Sequence, residues 1–305
     1  MKSLLIHPEE LSKKWIDRMV SGGMDCLGIH PVGGREAHLR LAALLAEMQT
    51  DAFRAKLDDA AEKGLEIEYE MHCGSYLVPR ELFAEHPEYF RVDKNGVRTN
   101  DRNFCPSNEA ALELAADRAG KLAKSLYRSA HRFYFWLDDA RDSRCHCKAC
   151  ARYTASDQQL LILNRLLREI KKDFPDARMA YLAYFETAAP PVKLRPDEGI
   201  FLEYAPFDRD MTKSSACVPD TEKENQKKLL QFFGTKDAKV LEYWYDNSLF
   251  SGWKKPPKKL AVDRGLVSES VDYYKGLGFE NISSFACYLG EDYEQLHGDF
   301  ESPVL

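Results

Sequence analysis

Short apolar segments alternate along the chain with longer amphipathic ones. In the longer segments, apolar residues recur every three or four positions, as between Leu11 and Val20, and this spacing predicts helices. The short segments are rich in branched and aromatic side chains and predict buried strands. Eight strands are predicted, at residues 4–7, 24–30, 65–72, 133–137, 178–185, 200–204, 239–245 and 282–288.

Helical segments are predicted between most of these strands. The stretch 36–63 is predicted as one long helix that ends at Gly64, because glycine commonly follows the last residue of a helix. The other helices are predicted at residues 11–20, 109–126, 158–172, 268–274 and in a segment that ends at 229–233.

Strands that alternate with helices predict a parallel sheet with right-handed crossovers. Eight such units in about 300 residues favour a closed (β/α)8 TIM barrel of the α/β class over an open sheet. No linker, low-complexity tract or internal repeat divides the sequence. One domain is therefore predicted over residues 1–305, with a long loop insert at about 74–108 and a cysteine-rich loop at 140–152.

Charge and composition exclude several classes of partner. The net charge is -6, and no clustered basic face predicts nucleic-acid binding. No apolar run approaches the roughly 20 residues of a membrane span. Residues 1–10 do not resemble a signal peptide, so the expected location is cytoplasmic, or periplasmic or secreted if a signal has been removed. The oligomeric state is left open.

Side chains alternate along a strand, which sorts the acidic residues of the third strand into an inward set. Glu66, Glu68, Glu70 and His72 belong to this set. A buried carboxylate is costly unless it is paired. We expect Glu66 and Glu68 to form ion pairs inside the barrel, and Glu70 and His72 to face a polar site at the strand end.

The same alternation predicts inward residues on other strands. Glu203 is predicted inward on the sixth strand, and Glu242, Trp244 and Asp246 on the seventh. The carboxyl ends of the strands form the active sites of (β/α)8 barrels, so polar and aromatic residues converging there predict a pocket. The residues predicted to bind its substrate are His7, His30, Glu70, His72, Trp136, Tyr184, Trp244, Asp246 and Tyr288.

Acidic residues at these strand ends favour glycoside chemistry. Cleavage of a glycosidic bond needs a proton donor and a second carboxylate, and the distance between the two decides whether the anomeric configuration is retained. The fourth strand ends in the pair Asp138 and Asp139. Together with Glu203 and Glu242, these are the candidate catalytic residues.

Cys145, Cys147 and Cys150 follow the fourth strand with a spacing typical of a zinc clip. The fourth ligand would come from Cys105, His146 or His131. A closed site rich in thiolates would be structural, so no cofactor is expected for catalysis. The alternative is a loop with three free or partly oxidised thiols.

Several motifs resemble those of a known family. They are the runs 86–90, 95–98 and 104–108, the pair Asp138 and Asp139, and the cysteine motif. They are similar to a large bacterial family of uncharacterised glycoside-hydrolase-like barrels, allied to α-glucuronidases and β-hexosaminidases. The resemblance covers about residues 65–210 best, and it implies a TIM barrel and a carbohydrate substrate. The allied hexosaminidases end this strand in Asp-Glu, so the resemblance places the acid at Asp139.

The sequence thus predicts a glycoside hydrolase that binds an uncharged or acidic sugar at the C-terminal face of the barrel. Asp139 is expected to be the general acid or its orienter, Glu242 the base or nucleophile, and Glu203 the alternative. Two other functions stay open. One is a metal-dependent sugar isomerase with ligands among Glu70, His72 and Glu203; the other is a non-catalytic carbohydrate-binding barrel.

Overall fold

Eight parallel strands form a closed barrel in the computed structural model, which describes residues 1–305. Each strand pairs with its neighbours in chain order, and β1 closes the ring against β8. The predicted fold is thereby confirmed as a parallel eight-stranded barrel with helices around it, consistent with a (β/α)8 barrel. The strands are β1 Lys2–Ile6, β2 Cys26–Ile29, β3 Glu66–His72, β4 Arg132–Trp136, β5 Arg178–Ala183, β6 Ile200–Tyr204, β7 Lys239–Glu242 and β8 Asn281–Phe285.

Ten α-helices lie outside or above the barrel, and none has both the length and the apolar composition needed to cross a bilayer. The predicted long helix 36–63 is wrong, because it is two helices. The side chain of Thr50 accepts a hydrogen bond from the Phe53 amide at 3.3 Å, and such an N-cap starts a new helix. The helices are α1 Lys13–Ser21, α2 Ala37–Glu47, α3 Asp51–Glu62, α4 Gly74–Leu77, α5 Glu109–Ser125, α6 Ala155–Ile170, α7 Asp220–Phe233, α8 Asn247–Phe250, α9 Arg264–Leu277 and α10 Glu291–His297.

The connection from β5 to β6 departs from the regular pattern of strand and helix. It contains one short 3₁₀ turn, Phe185–Thr187, and no α-helix. Pro190, Pro191 and Pro196 lie in this connection, and proline disfavours a helix interior. The carboxylate of Asp157 on α6 accepts three consecutive backbone amides of the connection and holds it in place.

The barrel interior is filled in two layers. Toward the amino ends of the strands, Arg132 and Lys239 pair with the buried carboxylates of Glu68 and Glu70. Arg132 also pairs with Glu66, but Glu66 is exposed and does not lie inside the barrel as expected. We call Glu68, Glu70, Arg132, Glu203 and Lys239 the ionic layer. Above it lies an apolar cluster that ends at the mouth of the barrel. Its members are Leu5, Tyr134, Trp136, Ala180, Leu182, Phe201, Ala205, Leu241, Tyr243, Phe285 and Cys287.

The larger apolar core lies between the strands and the helices. The insert after β3 packs against the barrel mouth, and Arg91 ties it to the loop after β4 by donating to the carbonyl oxygens of Asp142 and Arg144. The predicted domain limits, 1–305, stay a prediction.

Candidate active site

One cavity of about 520 Å³ opens at the carboxyl ends of the strands. All eight strands, or the loops that follow them, contribute to its lining, and apolar side chains form most of the wall. This is the position and composition expected of a ligand site in a barrel. Eight of the predicted site residues line the cavity: His7, His30, His72, Trp136, Asp139, Tyr184, Asp246 and Tyr288.

Three histidines form a row in the cavity. The ring centroids of His7 and His30 are 6.0 Å apart, and those of His30 and His72 are 6.2 Å apart. Nδ1 of His30 lies 2.8 Å from the carbonyl oxygen of Glu70, and Nδ1 of His72 lies 2.6 Å from that of Leu137. A carbonyl oxygen can only accept a hydrogen bond, so each of these two Nδ1 atoms carries a proton. In a neutral ring, Nε2 is then an acceptor.

Burial keeps the first two rings of this row neutral. Desolvation lowers the pKa of His7 to about 4. Burial, together with the neighbouring His7 and His72, holds the pKa of His30 well below its usual range. At neutral pH, His30 therefore offers a bare Nε2, which can accept a hydrogen bond from a ligand hydroxyl group.

Aromatic rings form the walls of the cavity. Tyr243 and Phe285 are stacked at 5.3 Å, and the edge of Phe207 meets Tyr243 at 5.3 Å. Trp136 lies beside His72, with 5.1 Å between the ring centroids, and Trp253 stands at the rim with 60% of its surface exposed. Flat apolar faces of this kind suit the C–H faces of sugar rings. Phe207, Tyr243 and Phe285 were not predicted from the sequence as wall residues.

Two carboxylates line the cavity, Asp139 after β4 and Asp246 after β7. The Tyr184 hydroxyl donates to Oδ1 of Asp139 at 3.3 Å. Oδ1 of Asp246 accepts the amides of Ser248 and Leu249 and the Ser248 hydroxyl, whereas Oδ2 has no hydrogen bond from the protein. Asp246 is buried, and this burial raises the pKa of its carboxyl group above the ordinary value.

Asp138 does not line this cavity, contrary to the prediction. Its carboxylate accepts the amide of Ser75 at 2.8 Å, the Ser75 hydroxyl and the amide of Asn103 at 2.6 Å. The Asn103 side chain accepts the Asp138 amide in return, at 2.7 Å. With these partners Asp138 fastens the insert 74–108 to the end of β4, while its neighbour Asp139 faces the cavity.

The prediction that Glu242 and Trp244 point inward is wrong. Glu242 is fully buried on the outer side of β7, where Arg209, Ser215 and Tyr274 each donate to it at 2.7 Å. Trp244 packs in the outer apolar core. Lys239 and Leu241 of this strand and Tyr243 just after it are the inward residues, and the Lys239 ammonium lies among the carboxylates of the ionic layer.

Glu70 and Glu203 lie beneath the cavity, in the ionic layer, and neither lines it. Both are fully buried beside the Lys239 ammonium. The indole N–H of Trp136 donates to Oε2 of Glu203 at 2.7 Å and separates this carboxyl group from the cavity. Burial and the proximity of Glu70 raise the pKa of Glu203 well above its usual range, and burial raises that of Glu70.

Side chains that could bind a metal ion come together in two places. The thiols of Cys105, Cys145, Cys147 and Cys150 form one group, and His7, Glu10 and Cys287 form the other. The expected isomerase ligands Glu70, His72 and Glu203 form no such group, because Lys239 already pairs with the two carboxylates.

Three larger enzymes of known structure resemble this chain. A beta-galactosidase from Rahnella sp. matches with a TM-score of 0.57 at 15% identity, over 93% of this chain and 50% of that one. Endo-glycoceramidase II from Rhodococcus sp. has a TM-score of 0.55 at 9% identity, over 94% and 72% of the chains. A glycoside hydrolase family 5 enzyme from Prevotella bryantii, solved with a xyloglucan oligosaccharide, has a TM-score of 0.52 at 12% identity, over 96% and 84%. At these identities the likeness shows the fold alone.

The protein spans half the length of the Rahnella enzyme. None of the curated proteins compared with the sequence matches it. The family described as "Domain of unknown function (DUF4838)" matches residues 43–243, about two thirds of the sequence. The predicted resemblance to uncharacterised glycoside-hydrolase-like barrels fits this match, whereas the alliance with α-glucuronidases and β-hexosaminidases stays a prediction. The chain belongs to the DUF4838 family.

Proposed function

We propose that this protein is a glycoside hydrolase in which Asp246 donates the proton and Asp139 is the second carboxylate. The observation that carries the proposal is that these two are the only carboxylates lining the cavity. They follow β4 and β7, which are three strands apart in the ring of eight, so they approach a bound ligand from different directions.

The surroundings of the two groups support different roles. Burial raises the pKa of Asp246, which favours the protonated acid, and its Oδ2 has no protein partner. Asp139 accepts a hydrogen bond from Tyr184, which holds one of its oxygen atoms in position. Two carboxyl groups held in unlike environments are a common basis for assigning acid and base. This assignment differs from the expectation from sequence, which gave the acid role to Asp139.

The proposed reaction uses water and no cofactor. Asp246 transfers its proton to the glycosidic oxygen as the bond from that oxygen to the anomeric carbon breaks. Asp139 then acts either as the base that activates water or as the nucleophile that water later displaces. In both cases water supplies the hydroxyl group at the anomeric carbon. If Asp139 is the base, it takes the proton of the attacking water, and exchange with solvent then restores both carboxyl groups. If Asp139 is the nucleophile, Asp246 takes the proton of the water that displaces it.

The lining favours an uncharged sugar over a uronic acid. No lysine or arginine lines the cavity, so a sugar carboxylate would find no cation there. Nε2 of His30 can accept a hydroxyl hydrogen bond, and the rings of Tyr243 and Phe285 can pack against a sugar face. The three solved structures described above are named as enzymes that act on glycosides, but a barrel fold supports many chemistries, so the site carries the proposal.

A panel of aryl glycosides tests the proposal directly. We expect turnover of a neutral aryl hexoside or pentoside and much slower turnover of the glucuronide. Asp139→Asn and Asp246→Asn should each lower kcat/KM by about 10²–10⁴-fold, as expected for loss of a catalytic acid or base. Asp208→Asn is the matched control, because Asp208 pairs with Arg141 at the surface and does not line the cavity.

The leaving group separates the two roles. A strongly activated leaving group departs without a proton, so it should restore most of the rate of Asp246→Asn and little of the rate of Asp139→Asn. The opposite pattern would reverse the two assignments. Binding of sugars in calorimetry without turnover of any glycoside would contradict the hydrolase proposal and favour the carbohydrate-binding alternative.

A further inference from the structure

Four cysteines from two separate loops meet beside the barrel mouth. Cys105 comes from the insert after β3, and Cys145, Cys147 and Cys150 come from the loop after β4. Their sulfur atoms all lie within 4.8 Å of one another. Three of the four residues are buried, and Cys147 is partly exposed. The proposed hydrolase chemistry does not use these thiols.

The spacing of the sulfur atoms matches a metal site and excludes disulfides. Sγ of Cys105 lies 3.7 Å from Sγ of Cys147 and 3.7 Å from Sγ of Cys150. A disulfide would need an S–S distance of about 2.05 Å. A tetrahedron of sulfurs around zinc, with Zn–S bonds of about 2.3 Å, has edges of about 3.8 Å.

Further contacts hold these sulfur atoms in position. The Val92 amide donates to Sγ of Cys145 at 3.4 Å, and Oγ of Ser107 lies 3.1 Å from Sγ of Cys150. The buried side chain of Gln158 accepts the Cys145 amide at 2.8 Å and donates to the Cys145 carbonyl at 2.9 Å. Polar groups around the ligands orient them and are typical of metal sites.

We propose that Cys105, Cys145, Cys147 and Cys150 bind one structural zinc ion. The two histidines considered from sequence do not complete this group: His131 pairs with Asp176 near the amino end of β4, and His146 lies 3.5 Å from Asp142. Four thiolates leave no open position for a substrate, so the ion acts on the loops and not on the chemistry.

The ion would join the two loops that position the acidic residues of β4. Cys105 lies two residues after Asn103, which exchanges hydrogen bonds with Asp138, and Asp139 is the next residue. The zinc ion therefore holds the insert against the strand end that presents Asp139 to the cavity. Its loss should lower stability first, and activity only through the position of these loops.

Metal analysis of the purified full-length protein tests the proposal. We expect one zinc ion per chain, retained through dialysis, and four of the eight thiols that stay unreactive toward a thiol reagent in denaturant until a chelator is added. Replacement of zinc by Co²⁺ should give the intense visible bands of a tetrahedral thiolate complex. Iron in place of zinc, or a metal-free protein with four reactive thiols, would overturn the proposal.

Single substitutions identify the ligands. Cys105→Ser should lose most of the bound zinc and lower Tm, whereas Cys217→Ser, which removes an exposed thiol elsewhere, should keep both unchanged. If Cys105→Ser does not fold, Cys147→Ser tests the same set at its most exposed position, and the Co²⁺ spectrum of the unaltered protein needs no variant. A Cys105→Ser protein with full zinc content would show that this ligand set is wrong.

Discussion

The interior of the barrel holds carboxyl groups in two regions with opposite character. In the ionic layer, Glu70 and Glu203 are fully buried beside the Lys239 ammonium and cannot be reached by a ligand. At the cavity, Asp139 and Asp246 face an open space of about 520 Å³. An inward acidic residue is therefore not evidence of catalysis by itself. Whether it faces a cation or a space decides its role.

Among the substitutions that test this comparison, removal of the Lys239 ammonium should have the largest effect. Lys239→Met leaves buried carboxylates without their partner, and breaking a buried ion pair costs about 3–5 kcal/mol. We expect a loss of this size in the free energy of unfolding, measured in urea. Lys236→Met, at an exposed lysine with no ion pair, is the control. Wild-type stability of Lys239→Met would show that the layer does not depend on its cation.

The pH dependence of activity should separate the two regions. Asp246 must be protonated to act as the acid, and burial raises its pKa, so kcat/KM should fall as the pH rises through that raised value. Asp246→Asn should lack this alkaline limb, and Glu203→Gln should keep it. The limb would be assigned to the ionic layer if Glu203→Gln abolished it and Asp246→Asn did not. A pH profile of all three proteins on one aryl glycoside decides between them.

The row of histidines marks the boundary between the regions and should have a moderate effect. His30→Phe removes the acceptor Nε2 and keeps an apolar ring beside Trp136 and Phe285. The loss of one hydrogen bond of about 1 kcal/mol should weaken sugar binding roughly fivefold. Calorimetry with the monosaccharide product measures this change, and His131→Phe, at the amino end of β4, is the control. Unchanged affinity in His30→Phe would remove His30 from the proposed site.

The smallest effect is expected for substitution of Glu203, the acidic residue under the cavity. Burial raises the pKa of Glu203 well above its usual range, so it is the protonated member of the layer, and glutamine copies that state. In Glu203→Gln, an amide oxygen can still accept from the Trp136 indole. We expect stability to change by about 1 kcal/mol or less and activity to stay close to wild type. A loss of activity as large as that of Asp246→Asn would return Glu203 to the catalytic candidates.

The barrel could be predicted from the sequence because eight short apolar segments alternate with longer amphipathic ones. The predicted inward face of β7 was wrong because Lys239 was not expected inside the barrel. With Lys239 inside, the alternation of side chains along the strand places Glu242 and Trp244 outside. Lys239, Leu241 and Tyr243 occupy every second position, and these three residues form the inward face.

The sequence patterns could not predict contacts between distant segments of the chain. Asp138 and Asp139 are adjacent, and the contacts of Asp138 with Ser75 and Asn103 in the folded insert determine which one faces the cavity. In the same way, the spacing of three cysteines was visible, but the fourth, Cys105, lies 40 residues before Cys145 and reaches them only through the fold.

The ionic layer also determines how a ligand enters and leaves. Glu70, Glu203 and Lys239 are fully buried below the cavity, so no passage runs through the barrel and the cavity is a blind pocket. A polysaccharide cannot thread through it. A ligand therefore enters and leaves by the same opening, at the carboxyl ends of the strands.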